Sequence, residues 1–389
     1  MIRRAFFAFG LIATAAVPVH ADPCFRSLGK DIKGTLTALA PLATGGALAF
    51  GHGTGPRRPF ADLWLVELDG AGAAVRDVFV PRRGEDKAVS LARLPDGDVL
   101  LGGDAPQPGT HGFMPLLVRV DPAGKERWAR TFDAAGFGTV HAIAPLPDGG
   151  LALALSRSKK KGGLAQDGWA LRADKDGKRV WDHVVTGDGV SGLMAVSARA
   201  DGSLVFAGWT TSRGAGESDG LLIALGADGA RVWEQTYGGP RTDTFRRLVP
   251  LSDGGFLCGG STLSKGDGTH DDFWIVRTDA SGVMAWERSF GGAGRDFLWD
   301  VVPAADGGFL LAGTRQPAEG GYSDVWLVRV DGTGAELWQR VHEGPIGEQA
   351  KAGIALADGG FLFVGSADED EKSTPFSLRV DSAGACVGP

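Results

Sequence analysis

A seven-fold internal repeat of about 52 residues runs through the chain and ends out of phase with itself. Its clearest copy begins with a D-G turn and an apolar run, Asp306-Gly-Gly-Phe-Leu-Leu-Ala-Gly313. An aromatic strand follows, Asp324-Val-Trp-Leu-Val-Arg-Val-Asp331, and then a Gly turn leading into Trp338. The turn recurs at Asp96, Asp148, Asp201, Asp253, Asp306 and Asp358, with Thr44-Gly45 as a weaker first copy. A period this regular means units that are stacked or arranged radially, because no single unit can bury its own apolar face.

Each unit carries four strand signals separated by turn residues. Before and after Trp326 they are Phe297 to Pro303, Gly308 to Gly313, Val325 to Val330 and Glu336 to His342. The D-G and D-x-x-G turns supply the positive φ that tight hairpins require. Four antiparallel strands repeated seven times predict an all-β, seven-bladed β-propeller. Two aromatic series keep the period. Trp128, Trp181, Trp233, Trp286 and Trp338 stand at the fourth strand; Trp64, Trp169, Trp274, Trp326 and Phe376 open the third. One large ring per blade fills the wedge between neighbouring sheets, each burial contributing several kcal/mol.

The phase shift lies at the two ends. The seventh third strand is followed only by Asp381-Ser-Ala-Gly-Ala-Cys-Val-Gly-Pro389, with no fourth strand. Cys24-Phe25-Arg26-Ser27-Leu28 stands as far before Thr44 as Trp233 stands before Asp253. It therefore occupies a fourth-strand place with no third strand ahead of it. The N-terminal segment is expected to complete the last blade, which removes an open sheet edge. That closure brings Cys24 near Cys386, and a disulfide between them is expected. Cys258, in the second strand of its blade, reads as a buried free thiol.

Residues 1–21 have the form of a secretory signal, with Arg3 and Arg4, an apolar stretch from Ala5 to Val17, and Val19-His20-Ala21 at the cleavage positions. Residues 22–389 then form one propeller domain in the periplasm or outside the cell, where a disulfide persists. No other apolar run is long enough to cross a bilayer. The chain has 40 Lys and Arg against 47 Asp and Glu, a net charge of -7 that loss of Arg3 and Arg4 deepens. This balance argues against a nucleic acid or an anionic membrane surface as partner.

At Asp331-Gly-Thr-Gly-Ala-Glu-Leu-Trp338 and Asp121-Pro-Ala-Gly-Lys-Glu-Arg-Trp128 the chain resembles bacterial seven-bladed propellers built from D-x-W-L-V-R-x-D-x-x-G-x-x-x-W repeats, often secreted and without an assigned role. It is more distantly similar to pyrroloquinoline-quinone-type (PQQ-like) propellers, whose turn ends in Gly before a docking Trp and is one residue longer. The resemblance covers essentially the whole mature chain. It implies the fold and leaves activity open, because propellers host many unrelated functions. The eight blades, Ca²⁺ site and adjacent cysteines of the quinone enzymes have no counterpart in the sequence, so that cofactor is not carried over and none is expected.

In a propeller, the loops joining second to third strands share a face with the blade-to-blade connections. Here these loops are long and mutually unlike: 52–61, 104–112, 156–166, 209–218, 261–271, 314–323 and 366–375. Trp209 opens one of them, where a ring can stack on a sugar or on a partner's side chain. Aligning blades on the D-G turn places Asp86, Asp243, Asp296 and Glu348 at one level of the first strand. They read as turn caps, with cation binding or acid–base work as the alternative. Three residues on stand His141, Arg246, Trp299 and Lys351, and one further Arg247 and Asp300. Arg246, Arg247, Trp299, Asp300 and Lys351 come from adjacent blades five to seven and make a candidate pocket at the channel mouth. Gly266-Asp-Gly-Thr-His-Asp-Asp272 is acidic and Gly-rich in the manner of Ca²⁺ loops but lacks their complete spacing. His52, His111 and His270 share the loop face without metal-site spacing. Lys159 to Lys161 and the charged run 368–372 read as solvated loop charges.

Nucleophile elbows, phosphate loops, metalloprotease helices and zinc cysteine pairs are absent from the sequence. The first functional reading is an exported monomeric scaffold whose loop-rich face docks a protein or a cell-envelope component. One alternative is a glycan hydrolase or lyase working at the channel mouth. Another is a sugar-binding lectin, against which the non-repeating loops count. Catalytic residues, and whether there is catalysis at all, stay open at this point.

Overall fold

The computed structural model describes residues 24–388 apart from 30, 56–59, 83, 162, 370 and 371. The expected signal segment lies outside these residues. Among them are 28 strands and no helix, arranged as seven four-stranded antiparallel sheets. The first strands of blades one to seven are Lys33–Pro41, Lys87–Arg93, Gly138–Pro145, Ser191–Ala198, Asp243–Pro250, Asp296–Pro303 and Gly347–Ala355. Each packs against the first strand of the next blade, and the seventh packs against the first, so these strands ring the central channel.

Blade seven takes Phe25–Ser27 as its fourth strand, beside Lys372–Val380. Phe25 lies opposite Leu378 and Ser27 opposite Phe376. The Phe25 ring meets Phe376 edge-on at 5.0 Å, a favoured geometry for aromatic pairs. A disulfide joins Cys24 to Cys386 across a sequence separation of 362, with Cα atoms 5.1 Å apart. Cys258 is fully buried, and burial pushes its thiol up, away from the reactive thiolate.

The repeated residues each have one job. The Asp of a D-G turn accepts the amide two residues on, as Asp306 Oδ1 does from Gly308 at 3.0 Å. The Arg of the third strand pairs with that same Asp, linking Arg119, Arg172, Arg277, Arg329 and Arg379 to Asp96, Asp148, Asp253, Asp306 and Asp358. The third-strand rings Trp64, Trp169, Trp274 and Trp326 are buried in the seams. Each indole N–H donates to the residue 13 positions on, namely Asp77, Asp182, Glu287 and Gln339. The fourth-strand rings do something different. They are half-buried platforms on which the next blade sets a turn glycine. A Cβ at Gly177, Gly229, Gly282, Gly334 or Gly384 would stand 2.6–2.8 Å from Trp128, Trp181, Trp233, Trp286 or Trp338.

One loop assignment needs correcting. Residues 366–375 are mostly strand, because Phe361–Glu369 and Lys372–Val380 continue their pairing outward. The polar composition there suggests a loop, but cross-strand bonds such as Ser373 Oγ to Asp368 Oδ1, 2.6 Å, hold it in the sheet.

Candidate functional site

Every first strand carries a β-bulge at the same height. The register skips Thr37, Val89, His141, Met194, Arg246, Trp299 and Lys351, one residue per blade. A bulge leaves one residue unpaired in the ladder and re-aims its side chain. All seven are partly exposed, consistent with a ring facing the channel.

Four of the seven belong to the level singled out in the sequence, and the five pocket residues fall into two groups. The Arg246 guanidinium lies 5.0 Å from the Trp299 ring centroid and 4.4 Å from that of Phe297. The Lys351 ammonium stands 5.9 Å from the same Trp299 centroid. It donates to Thr35 Oγ1 of blade one at 3.0 Å. Arg247 and Asp300 form a separate strap across blades five, six and seven. Arg247 Nε donates to Asp300 Oδ1 at 2.7 Å and its Nη2 to the Lys351 carbonyl at 3.3 Å. Asp300 also accepts Val301 N–H at 2.9 Å and Gly353 N–H at 2.8 Å. Asp300 is thus fully engaged in holding strands together.

The channel side is cationic. Burial, and then Arg246, pushes His141 down to about 4. Burial, with Lys351 and Lys87, does the same to His52. Burial lowers Lys351, and with Arg247 nearby takes Arg246 to about 10. In blade two, burial pushes the Asp104 carboxyl up to about 6, opposed by the Thr139 hydroxyl that donates to it at 3.0 Å and by Lys87.

The four first-strand carboxylates sit at blade seams. Each faces a second carboxylate that the sequence reading missed: Asp62 for Asp86, Asp219 for Asp243, Asp272 for Asp296, and Asp324 for Glu348. The signal was available, since every pair is separated by the same 24 positions. The seams satisfy their pairs differently. Arg82 spans the first, its backbone N–H donating to Asp62 and its Nε to Asp86. Asp243 caps its turn through Gly239 N–H at 2.7 Å and accepts Ser264 Oγ at 2.6 Å. Glu348 accepts Ile346 N–H at 3.1 Å. Asp296, wholly buried, has no well-formed hydrogen bond at either oxygen, and only a weak pull from the Gly292 N–H. Burial raises it to about 7, and the Asp272 charge adds to that while Arg315 opposes it.

Other candidates separate. Trp209 lies over Gly192, where a Cβ would come 2.8 Å from its indole nitrogen. Asp267 caps its own turn through Thr269 N–H, Asp271 pairs with Arg295 at 3.4 Å, and Asp272 turns to the seam. Lys159 donates to the Gly187 carbonyl of the next blade, so it is not a free solvated charge. Among the described residues, the one group of three metal-type ligands is Cys24, His342 and Cys386, whose sulfurs are already bonded to each other. The loop face itself holds a cleft of about 570 Å³ between blades two and three, lined by His111, Asp133, Phe137 and Lys161. Ala135 beside it is the one non-glycine among the described residues with positive φ, at 58°. A second cleft of about 320 Å³, lined by Phe297, Tyr322 and Gln349, opens between blades six and seven.

A family model described as outer membrane protein assembly factor BamB, of the PQQ-like type, matches residues 113–258. The chain is therefore similar to PQQ-like propellers, distantly. No curated protein matches the sequence. Among solved structures, the chain is similar to a protein of unknown function from Dyadobacter fermentans DSM 18053, with TM-score 0.53 and 11% identity over 92% of this chain and 98% of that one. It is also similar to YCF48 from Cyanidioschyzon merolae, with TM-score 0.51 and 10% identity over 91% and 98%. A puromycin hydrolase gives TM-score 0.53 and 15% identity over 90% of this chain and 52% of that one. At such identities the likeness is one of fold.

Proposed function

We propose that the protein is an exported binding scaffold that docks a protein or cell-envelope component on its loop-rich face. The observation that carries this reading is that irregularity is confined to one face. The opposite face bears the two tight turns of every blade, closed by the same Asp and positive-φ Gly in nearly every copy. The loop face has clefts of unlike lining on a constant frame, the arrangement expected of a recognition surface. The Cys24–Cys386 bridge and the similarity to BamB-like propellers support an envelope or exported location. No helix among the described residues is long and apolar enough to cross a membrane. The pocket carboxylate Asp300, holding three donors, favours this reading over a hydrolase at the channel mouth.

Photo-crosslinkers at His111, on the loop face, and at Lys125, on the turn face, test the proposal in the envelope fraction of the natural host. A single stoichiometric adduct from position 111 and none from 125 is expected. Equal capture from both faces, or none from either, would overturn it.

A further inference from the structure

We propose that Cys24, Cys386 and His342 form a soft-metal site that holds one Zn²⁺ when the two cysteines are thiols. This site is separate from the loop-face reading and stands without it. The sulfurs of Cys24 and Cys386 and a ring nitrogen of His342 all lie within 4.8 Å of one another. They come from three places that only ring closure assembles. Cys24 precedes Phe25–Ser27, His342 ends the strand Glu336–His342 of blade six, and Cys386 forms a bridge with Val380. Cys24 and His342 are both buried. Both cysteines pack on the apolar cluster that contains Val325, the residue opposite His342.

The histidine breaks the repeat. The fourth strands of blades one, three, four and five end on Val80, Val185, Tyr237 and Phe290, in the register that His342 takes against Val325. An apolar or aromatic side chain therefore suffices at this position, and a disulfide has no need of an imidazole. The metal-binding ring replaces that side chain at the seam that also holds two sulfurs. Thiolate and imidazole are preferred zinc ligands, with bonds of about 2.3 and 2.1 Å, and a tetrahedral shell of that size sets ligand atoms about 4 Å apart. The three atoms need only small rotations to share one ion, leaving its fourth position to water. A dithiol reductant opens the site. Its two thiol hydrogens pass to Cys24 and Cys386 as the S–S bond breaks, and it leaves as its own disulfide. Zn²⁺ then displaces both protons, and neutral His342 lends its ring nitrogen. Oxidation and metal binding compete for the same sulfurs, and either one ties the two ends of the chain together.

Cobalt titration of the full-length protein tests this, since Co²⁺ accepts the ligands of zinc and reports thiolates by a charge-transfer band. The protein is reduced with dithiothreitol, freed of it under anaerobic conditions, and compared with the disulfide form. The reduced protein should bind one Co²⁺ per chain with that band, displaced by Zn²⁺, and the disulfide form should show none. His342→Leu, which restores the apolar character of the other blades, should weaken binding about a hundredfold, the upper range for losing even an outer partner of a ligand. Cys258→Ser should leave it unchanged, since that thiol is buried in blade five. Saturating Zn²⁺ should raise the thermal midpoint of the reduced protein and not that of the disulfide form. No charge-transfer band in the reduced protein overturns the proposal. So does a band that His342→Leu retains at full affinity, or one that the disulfide form shares. A reduced protein that unfolds and is not refolded by Zn²⁺ overturns it as well.

Discussion

Asp296 is a carboxyl group held in the wrong company. Its folded value near 7 stands well above that of an exposed Asp, because burial and Asp272 disfavour the charge. The folded state therefore holds the proton more tightly than the unfolded one. Stability from this group is fully present below the unfolded value near pH 4 and is lost as pH rises toward 7. Asp296→Asn should raise the thermal midpoint at pH 8, by roughly 1 kcal/mol equivalent, and flatten the slope between pH 5 and 8. A variant less stable than wild type at pH 8 would show that the charged form is held favourably. At this scale the sequence was only half legible. The level of Asp296 could be read along one strand. Its partner Asp272 belongs to another blade and becomes a neighbour only across the seam. The bulge ring was missed at Thr37, Val89 and Met194, since chemically unlike residues share a position only once strand register is known.

The turn glycines separate local geometry from packing. Gly307 and Gly334 have φ of 83° and 80°, but Gly307 has open space where a Cβ would go, while a Cβ at Gly334 would stand 2.7 Å from Trp286. Gly307→Ala should cost about 1–2 kcal/mol from backbone strain alone. Gly334→Ala should cost about 1–3 kcal/mol more, from pushing two blades apart. Chemical denaturation of the two variants checks the difference, and equal losses would mean that the Trp platform yields freely. Strands and turns were legible to within one or two residues, because D-G spacing and apolar alternation are local signals. The stretch 366–375 was not, because pairing partners rather than composition decide where a strand stops. The docking role of the fourth-strand Trp was likewise hidden, since its glycine sits a full period later in the chain.

Closure is the property of the whole molecule. The out-of-phase repeat made it readable, and the position of Cys24 and Cys386 followed from it. Cys386→Ser should lower stability by several kcal/mol, up to about 5 in the chain-entropy limit, and the same loss should appear when wild type is unfolded under reducing conditions. An unchanged midpoint in both would mean that strand pairing alone holds the ring. The channel-mouth cluster was readable only through the repeat, because Arg246, Trp299 and Lys351 lie 53 and 52 positions apart and adjoin once blades five to seven stand side by side. Blade seven also imposes an order in time. The strand Phe25–Ser27 is made before every other described strand, yet its hydrogen-bonding partner Lys372–Val380 is made after all of them. Six blades can form as synthesis proceeds, while the seventh waits for Lys372–Val380. Until then Phe25–Ser27 has no sheet to join, so closing the ring pairs the earliest described strand with the latest.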